Sequence, residues 1–506
     1  MAAAPVVACA VAAIAVYLVL AILRARHPFE LDWIEGGLVD QVRRVLDGRP
    51  LYGAPSVEYV SLPYPPLFPW LAAAVSRLTG RGFLPLRLVS AVASVGCMAV
   101  LWAWIRRETG DGTAGLVAAG LLAACFRLAG AWYDIGRVDS LFLLLLLCSL
   151  AVARYAATRR AAAFGGLLLF LAFLTKQSAI VAGLPVLAVL LLRPRSDDVG
   201  ARDRRVGLAF GAAFALPLLA STLLLDRASD GWYRFFLAGS LAGHDLEASA
   251  WTTFWTSDLA PLAVGLGVMV AGAVTLYRDR ASALLPVGFY AAATAGLFAT
   301  SWVSKLHEGG YDNVLMPAVA AASLLVGLAF HYLRHGPGWL AAGAALAVVA
   351  QFALVAYDPR DQLPTAADRA AGRRFVEAVR AVPGEVLVVS HPWYAVMAGK
   401  AGGAHAAAIE DVLRGDDNRA KDGLRASIAA AVRAQRFAAI VFDDTAPGQP
   451  GSGGGLTRDR ADFPPDLEQW YQPAADPVFA PTADTSALYP VTDLRVRPET
   501  WWVPRR

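Results

Sequence analysis

Eleven stretches with few or no charges recur along the first 357 residues, at 5–24, 84–105, 113–130, 138–153, 161–174, 178–192, 206–225, 258–277, 282–300, 311–333 and 338–357. A helix that crosses a bilayer needs about 20 apolar residues, within about 17–25. In lipid only a helix or a closed barrel satisfies its own backbone polar groups, so this pattern predicts a polytopic helical bundle. The stretches at 138–153 and 161–174 are short and must borrow flanking residues. Composition agrees, with 57% of the 506 residues hydrophobic and 17% charged, against about 25% charged in soluble domains. A soluble enzyme is thereby excluded. The net charge of +4 is too mild to point to nucleic acid. Cys9, Cys97, Cys125 and Cys148 sit inside apolar runs without a CxxC pair. They read as small buried hydrophobes, not as a disulfide framework or a zinc site.

Charge in the loops sets an orientation. Taking alternate connections, one side carries 13 basic residues in 35 loop positions, and the other 11 in 111. The denser side, with Arg106-Arg107, Arg159-Arg160 and the arginines between 193 and 205, is expected to be cytoplasmic. The N-terminus is then inside, and its first stretch, which lacks a basic leader and a cleavage site, is an uncleaved anchor. Residues 62–80 crowd four prolines at their start, which suits an interfacial or re-entrant segment within an outer loop, 25–83. Helix 35–46 in that loop is expected to turn Leu38, Val42, Val45 and Leu46 toward the membrane. Beyond residue 357 charges become frequent and the pattern becomes soluble α/β. Helices are expected over 365–382, 405–414 and 422–435, strands over 385–390 and 438–444, and a flexible loop over 447–455. The predicted architecture is an all-α membrane domain, 1–357, followed by an extracytoplasmic α/β domain, 358–506. The chain is expected to be a multi-pass protein of a bacterial cytoplasmic membrane.

Mixed clusters of acids, bases and amides fall only on the expected outer side. They are Asp32 and Glu35, Asp134 with Arg137 and Asp139, Lys176 with Gln177, His244 in GHDLE, and Lys305 with His307, Glu308 and Asn313. Each has an ordinary explanation as a helix cap, a snorkelling cation or a surface histidine. Ionisable groups at membrane depth are costly and usually have a partner or a function. Their shared side predicts one site built from five loops.

These residues lie in motifs that resemble the C-type (GT-C) membrane glycosyltransferases. That superfamily includes lipid A aminoarabinose transferases, protein O-mannosyltransferases and their bacterial relatives. The run Glu35-Gly36 through Leu46, Gly48, Leu51-Tyr52 and Tyr64-Pro65-Pro66-Leu67 is similar to the family's first outer loop. Gly136-Arg137-Val138-Asp139-Ser140 and Phe173 to Ser178 resemble its second loop and its short Lys-Gln loop. Ser304-Lys305 through Asn313 resembles a late loop near the donor phosphate. The resemblance covers about residues 28–330.

What it implies is transfer of a sugar from a polyprenyl-phosphate donor to an envelope glycan, lipid or protein acceptor. In the family a loop acid, often within an Asp-Glu pair followed by a small residue and an aromatic, is the base. Glu35 is the expected base; Ile34 precedes it, so the pair is broken and Asp32, three residues earlier, is the fallback. Arg137, Lys176 and Lys305 would stabilise the departing phosphate, with Gln177 and Asn313 as neutral donors. Asp134, Asp139, His244, His307 and Glu308 would orient groups or face the acceptor. No cofactor is required by this chemistry. A divalent metal is possible through Asp32, Asp134 or Glu308, but nothing indicates one. A secondary transporter or lipid flippase is the competing class, as is a membrane scaffold, although polar residues near the midplane and repeat symmetry, the transporter signature, are missing from the sequence.

Overall fold

The structure, a computed structural model, describes residues 3–192, 204–239, 243, 245–279, 284–414, 418–445, 460, 462–474, 487–492 and 495–506. His244, Arg193, Arg195, Arg202, Arg280 and the 447–455 segment lie outside the described residues.

A helix falls on each of the eleven apolar stretches. In chain order these are α1 (Ala3–Ala25), α4 (Phe83–Thr109), α5 (Gly112–Ala124), α6 (Asp139–Arg154), α7 (Arg159–Phe173), α8 (Ala179–Leu192), α9 (Arg204–Ala228), α12 (Ala263–Asp279), α13 (Leu284–Leu306), α14 (Met316–Arg334) and α15 (Gly338–Leu354). Short helices α10 (Trp232–Arg234) and α11 (Ala250–Thr253) lead into α12. Among the described residues, five segments are long and apolar enough to cross a membrane: 4–25, 83–109, 204–228, 250–275 and 312–334. A sixth candidate, 338–354, passes only jointly with the helix after it, across a 52° bend. Helices α5 to α8 have 13 to 16 residues. At about 1.5 Å per residue they span less than the ~30 Å hydrocarbon core. Their helical runs stop where the chain unwinds into the turns that carry the polar clusters.

Helix α14 is the bundle's axis, with almost every residue from Met316 to Phe330 buried. Close approach is enforced where α5 meets α1: a Cβ on Gly120 would lie 2.5 Å from the Ala10 Cα. Asp111 caps α5 by accepting from the Thr113 and Ala114 amides, and Thr158 caps α7.

The loop between α1 and α4 holds α2 (Glu35–Leu46) and α3 (Leu67–Thr79). With 13 residues, α3 is about 20 Å long and too short to cross, in keeping with an interfacial segment. After residue 357 come α16 (Ala366–Ala381), β1 (Glu385–Val388), α17 (Pro392–Met397), α18 (Ala406–Leu413), α19 (Arg419–Arg433), β2 (Phe437–Thr445), β3 (Tyr471–Pro473) and β4 (Val496–Pro504). The strands form one sheet in the order β1-β2-β4-β3, parallel between β1 and β2 and antiparallel elsewhere. Thr365 and Asp368 form a capping box that starts α16.

One expectation is corrected here. The apolar face of α2 does not look into lipid. Leu38 and Val42 are buried in a core that also contains Phe375, Ile440 and Trp501 from the C-terminal unit, and Val45 and Leu46 pack against it. An amphipathic helix buries its stripe against whatever covers it, and here the cover is the C-terminal unit. The loop between α1 and α4 and residues of the 371–502 region therefore share one hydrophobic core.

Phe375→Ala, at a fully buried position of that core, should cost about 3–5 kcal/mol. Limited trypsin digestion should then expose sites in both 26–81 and 369–436 together. Independent cleavage of the two would contradict a shared core.

Candidate active site

Five parts of the chain meet through one buried ion pair. Arg87, fully buried in α4, donates from Nε to Glu35 Oε1 at 3.0 Å and from Nη2 to Oε2 at 2.6 Å. The same guanidinium donates to the carbonyls of Arg24, His27 and Phe29. Glu35 also accepts from the Leu31 and Gly136 amides at 2.7 and 2.6 Å. Burial raises the Glu35 pKa, but Arg87 and the amides outweigh it, and the net shift is below the usual 4.5. Four hydrogen bonds on two oxygens make Glu35 a structural anchor and a poor proton acceptor.

Asp32 is in a different state. It is fully buried. Its Oδ1 accepts from the Ile34 amide at 3.2 Å and from Arg137 Nη1 at 3.3 Å, while Oδ2 is buried without a hydrogen-bond partner. Burial pushes its pKa up to about 7 in spite of Arg137. A carboxylate with a free oxygen and a pKa near neutrality is suited to general base work.

Beside it lies a chamber of about 380 Å³, whose lining includes Arg137, Lys176, Gln177 and Asn313. Arg137 also donates to the Tyr64 hydroxyl at 3.0 Å and lies over the Trp132 ring at 4.5 Å. Lys176 Nζ and Asn313 Nδ2 both donate to Asp139 Oδ1, at 2.6 and 3.0 Å. Gln177 donates to the Pro63 carbonyl, and its Oε1 is buried without a partner. His307 and Glu308 also line it, joined by Glu410, Asp411 and Arg414 from α18 and its end. Trp33 and Ile34 line the chamber, whereas their neighbour Asp32 reaches it only through Arg137.

The comparisons with known proteins can now be set beside this geometry. Residues 64–224 match the family described as dolichyl-phosphate-mannose-protein mannosyltransferase. ArnT from Cupriavidus metallidurans, solved bound to undecaprenyl phosphate, superposes with a TM-score of 0.55 at 15% identity, covering 86% of this chain and 92% of that one. The oligosaccharyltransferase AglB from Archaeoglobus fulgidus, solved with an inhibitory peptide and a dolichol-phosphate, gives 0.52 at 11% identity, with 85% of this chain and 69% of that one covered. No protein of curated function matches the sequence. The fold is that of the C-type membrane glycosyltransferases.

In this C-type fold the structure brings together Asp32, Arg137, Asp139, Lys176, Gln177, His307, Glu308 and Asn313. Two residues stand apart. Asp134 is buried on Arg24 at 3.2 Å and does not line the chamber. Lys305 faces Asp258 and Asp312 at 3.7 and 3.5 Å, so its charge is matched beside the chamber and not within it. The segment after His244 is placed by backbone pairing, with Glu247 N donating to Leu306 O and Glu308 N to Asp245 O.

Sequence reasoning missed Arg87, the partner of the expected base, and the rim formed by Glu410, Asp411 and Arg414. Among the described residues one group of side chains could hold a metal ion, Asp111 with His331 and His335. It is composed of none of the chamber's residues, and Asp111 is engaged by Arg334 at 3.1 Å.

Because the folded pKa of Glu35 is depressed, its stabilisation is complete above pH 4.5 and is lost as pH falls through the folded value. Arg87→Ala should cost about 3–5 kcal/mol by stranding a buried carboxylate. Glu35→Gln should flatten the acid limb of a thermal-stability profile. An unchanged limb would show that Glu35 is not anchored in this way.

Proposed function

We propose that the protein transfers a sugar from a polyprenyl-phosphate carrier to an acceptor at the outer face of the cytoplasmic membrane. One observation carries the reading: two cations and two amides, Arg137, Lys176, Gln177 and Asn313, face a single chamber that adjoins a buried carboxylate of raised pKa, Asp32. The leaving group of such a transfer is a lipid phosphate, whose growing charge needs fixed donors. Arg137 is suited to grip it through two nitrogens and Lys176 to act as a point charge. The acceptor hydroxyl must lose a proton as it attacks, and Asp32 is the base we assign to it. Glu35 yields that role because its lone pairs are committed to Arg87 and two amides. Asp139 holds Lys176 and Asn313 in place.

The undecaprenyl phosphate named for ArnT and the dolichol-phosphate named for AglB support a polyprenyl-phosphate donor here. The acceptor belongs to the wall formed by His307, Glu308 and α18, with the C-terminal unit, 358–506, as an outer domain over the membrane domain, 1–357. We infer eleven crossings, an inside N-terminus and an outside C-terminal unit from the arginine asymmetry. Impermeant labelling of single cysteines placed between residues 106 and 110 and after residue 364 should report opposite sides.

The catalytic assignment separates kinetically. Asp32→Asn should cut turnover by about 10²–10⁴-fold with binding of the donor lipid nearly intact. Lys176→Ala should weaken donor binding and slow transfer as well, because its attraction grows as the phosphate leaves. Near-normal turnover in both variants would remove the chemical centre of this reading.

A further inference from the structure

We propose that His391 and His405 are positioning residues, through which the C-terminal unit holds the loop bearing Asp32 in its working place. The inference rests on the reading of Asp32 as the base. Neither histidine touches the chamber; both touch the 30–37 segment.

His391 begins α17 and is buried between two carboxylates. Its Nδ1 contacts Glu30 Oε2, and its Nε2 lies 2.9 Å from Asp443 Oδ2 on β2. The ring stacks on Tyr394, 5.2 Å away and 10° from parallel, and the Tyr394 hydroxyl accepts from the Glu30 amide at 3.2 Å. Flanked on both sides by acids, the imidazole is held well above its ordinary pKa and carries a proton. Its contacts tie the loop to the sheet, and with all three side chains at most 2% exposed no solvent competes for them.

His405 grips the next residues without charge. As the N-cap of α18, its Nδ1 accepts from the Ala407 amide at 3.0 Å, which leaves the proton on Nε2 to meet the Trp33 carbonyl at 2.9 Å. Burial lowers its pKa to about 3 and keeps the ring neutral. The Gly36-Gly37 pair lets the loop come this close. A Cβ on Gly36 would lie 2.2 Å from Glu30 Oε1, and one on Gly37 3.1 Å from the His405 ring. Asp32 therefore sits between two held residues, Glu30 and Trp33. The same α18 that holds Trp33 supplies Ala407, Glu410 and Asp411 to the chamber wall, so one short helix sets both the wall and the base.

A loop misplaced by about 1 Å can cost about 10²-fold in rate, whereas the donor-phosphate groups sit on other segments. In the full-length protein, His391→Gln and His405→Gln should each lower kcat by about 10–100-fold with the lipid donor's KM, and inhibition by undecaprenyl phosphate alone, within about twofold of wild type. Amide hydrogen exchange should speed up in 30–37 and stay unchanged in β1 and β2. Unchanged kcat with unchanged exchange would overturn the proposal, as would exchange rising evenly across the C-terminal unit, the mark of a merely structural role. If His391→Gln does not fold, Asp443→Asn, which removes one carboxylate and keeps the imidazole, is read by the same criteria. Should the wild type turn over no lipid-phosphate sugar, the proposed function fails, while exchange in 30–37 still decides whether the two histidines hold the loop.

Discussion

Arg87 and Glu35 form the junction on which the chamber end of the molecule depends. Their two charges lie fully out of water, and the guanidinium's remaining donors are taken up by three carbonyls just after α1 and at its end. Glu35 in turn ties the start of α2 to Gly136, the residue before Arg137. A buried pair is tolerable only when its spare donors and acceptors are met, and here they are. The end of α1, the 27–35 loop, α2, α4 and the 130–137 turn are thereby fixed to one another. A second buried cation repeats the device: Arg24 pairs with Asp134 and donates to the Ala131 carbonyl and to Thr492, bringing the C-terminal segment to the same place.

Around that junction the acids divide by environment. Glu35 is surrounded by donors and stays ionised as an anchor. Asp32, three residues earlier, has one oxygen on Arg137 and the other unpaired, and its pKa rises to about 7. Neighbouring carboxylates pushed apart in this way take different tasks. The cations show the same division. Arg137 and Lys176 line the chamber, Arg87 and Arg24 are spent on architecture, and Lys305 is matched by two aspartates at its edge.

Much of this was legible in the sequence because polar groups near lipid stand out against an apolar background. The loops holding Arg137, Lys176 and Asn313 were visible for that reason, and the structure brings those residues to one chamber. Arg87 was hidden by the same reading, since one arginine inside 84–105 leaves the stretch nearly uncharged on average. Without it, the task of Glu35 could not be read, because a carboxylate's role follows from the cation it faces, here 52 positions away. The α2 stripe was recognised as apolar, but what covers it comes from residues 371–502, far beyond any local pattern. His391 and His405 stand alone in a soluble-looking segment, and no spacing marks them. The lengths of α5 to α8 depended on where turns unwind, which apolarity alone does not define.

The central claim is that Asp32, with a pKa raised by burial, takes the acceptor's proton. The pH dependence of kcat/KM for lipid-phosphate sugar transfer tests it most directly, since it reports the essential groups of the free enzyme. The raised value predicts that the rate climbs as pH rises through about 7 and then levels off once Asp32 is ionised. A profile that is flat from pH about 5 to 8, or a limb near the ordinary aspartate value of about 4, would contradict the claim.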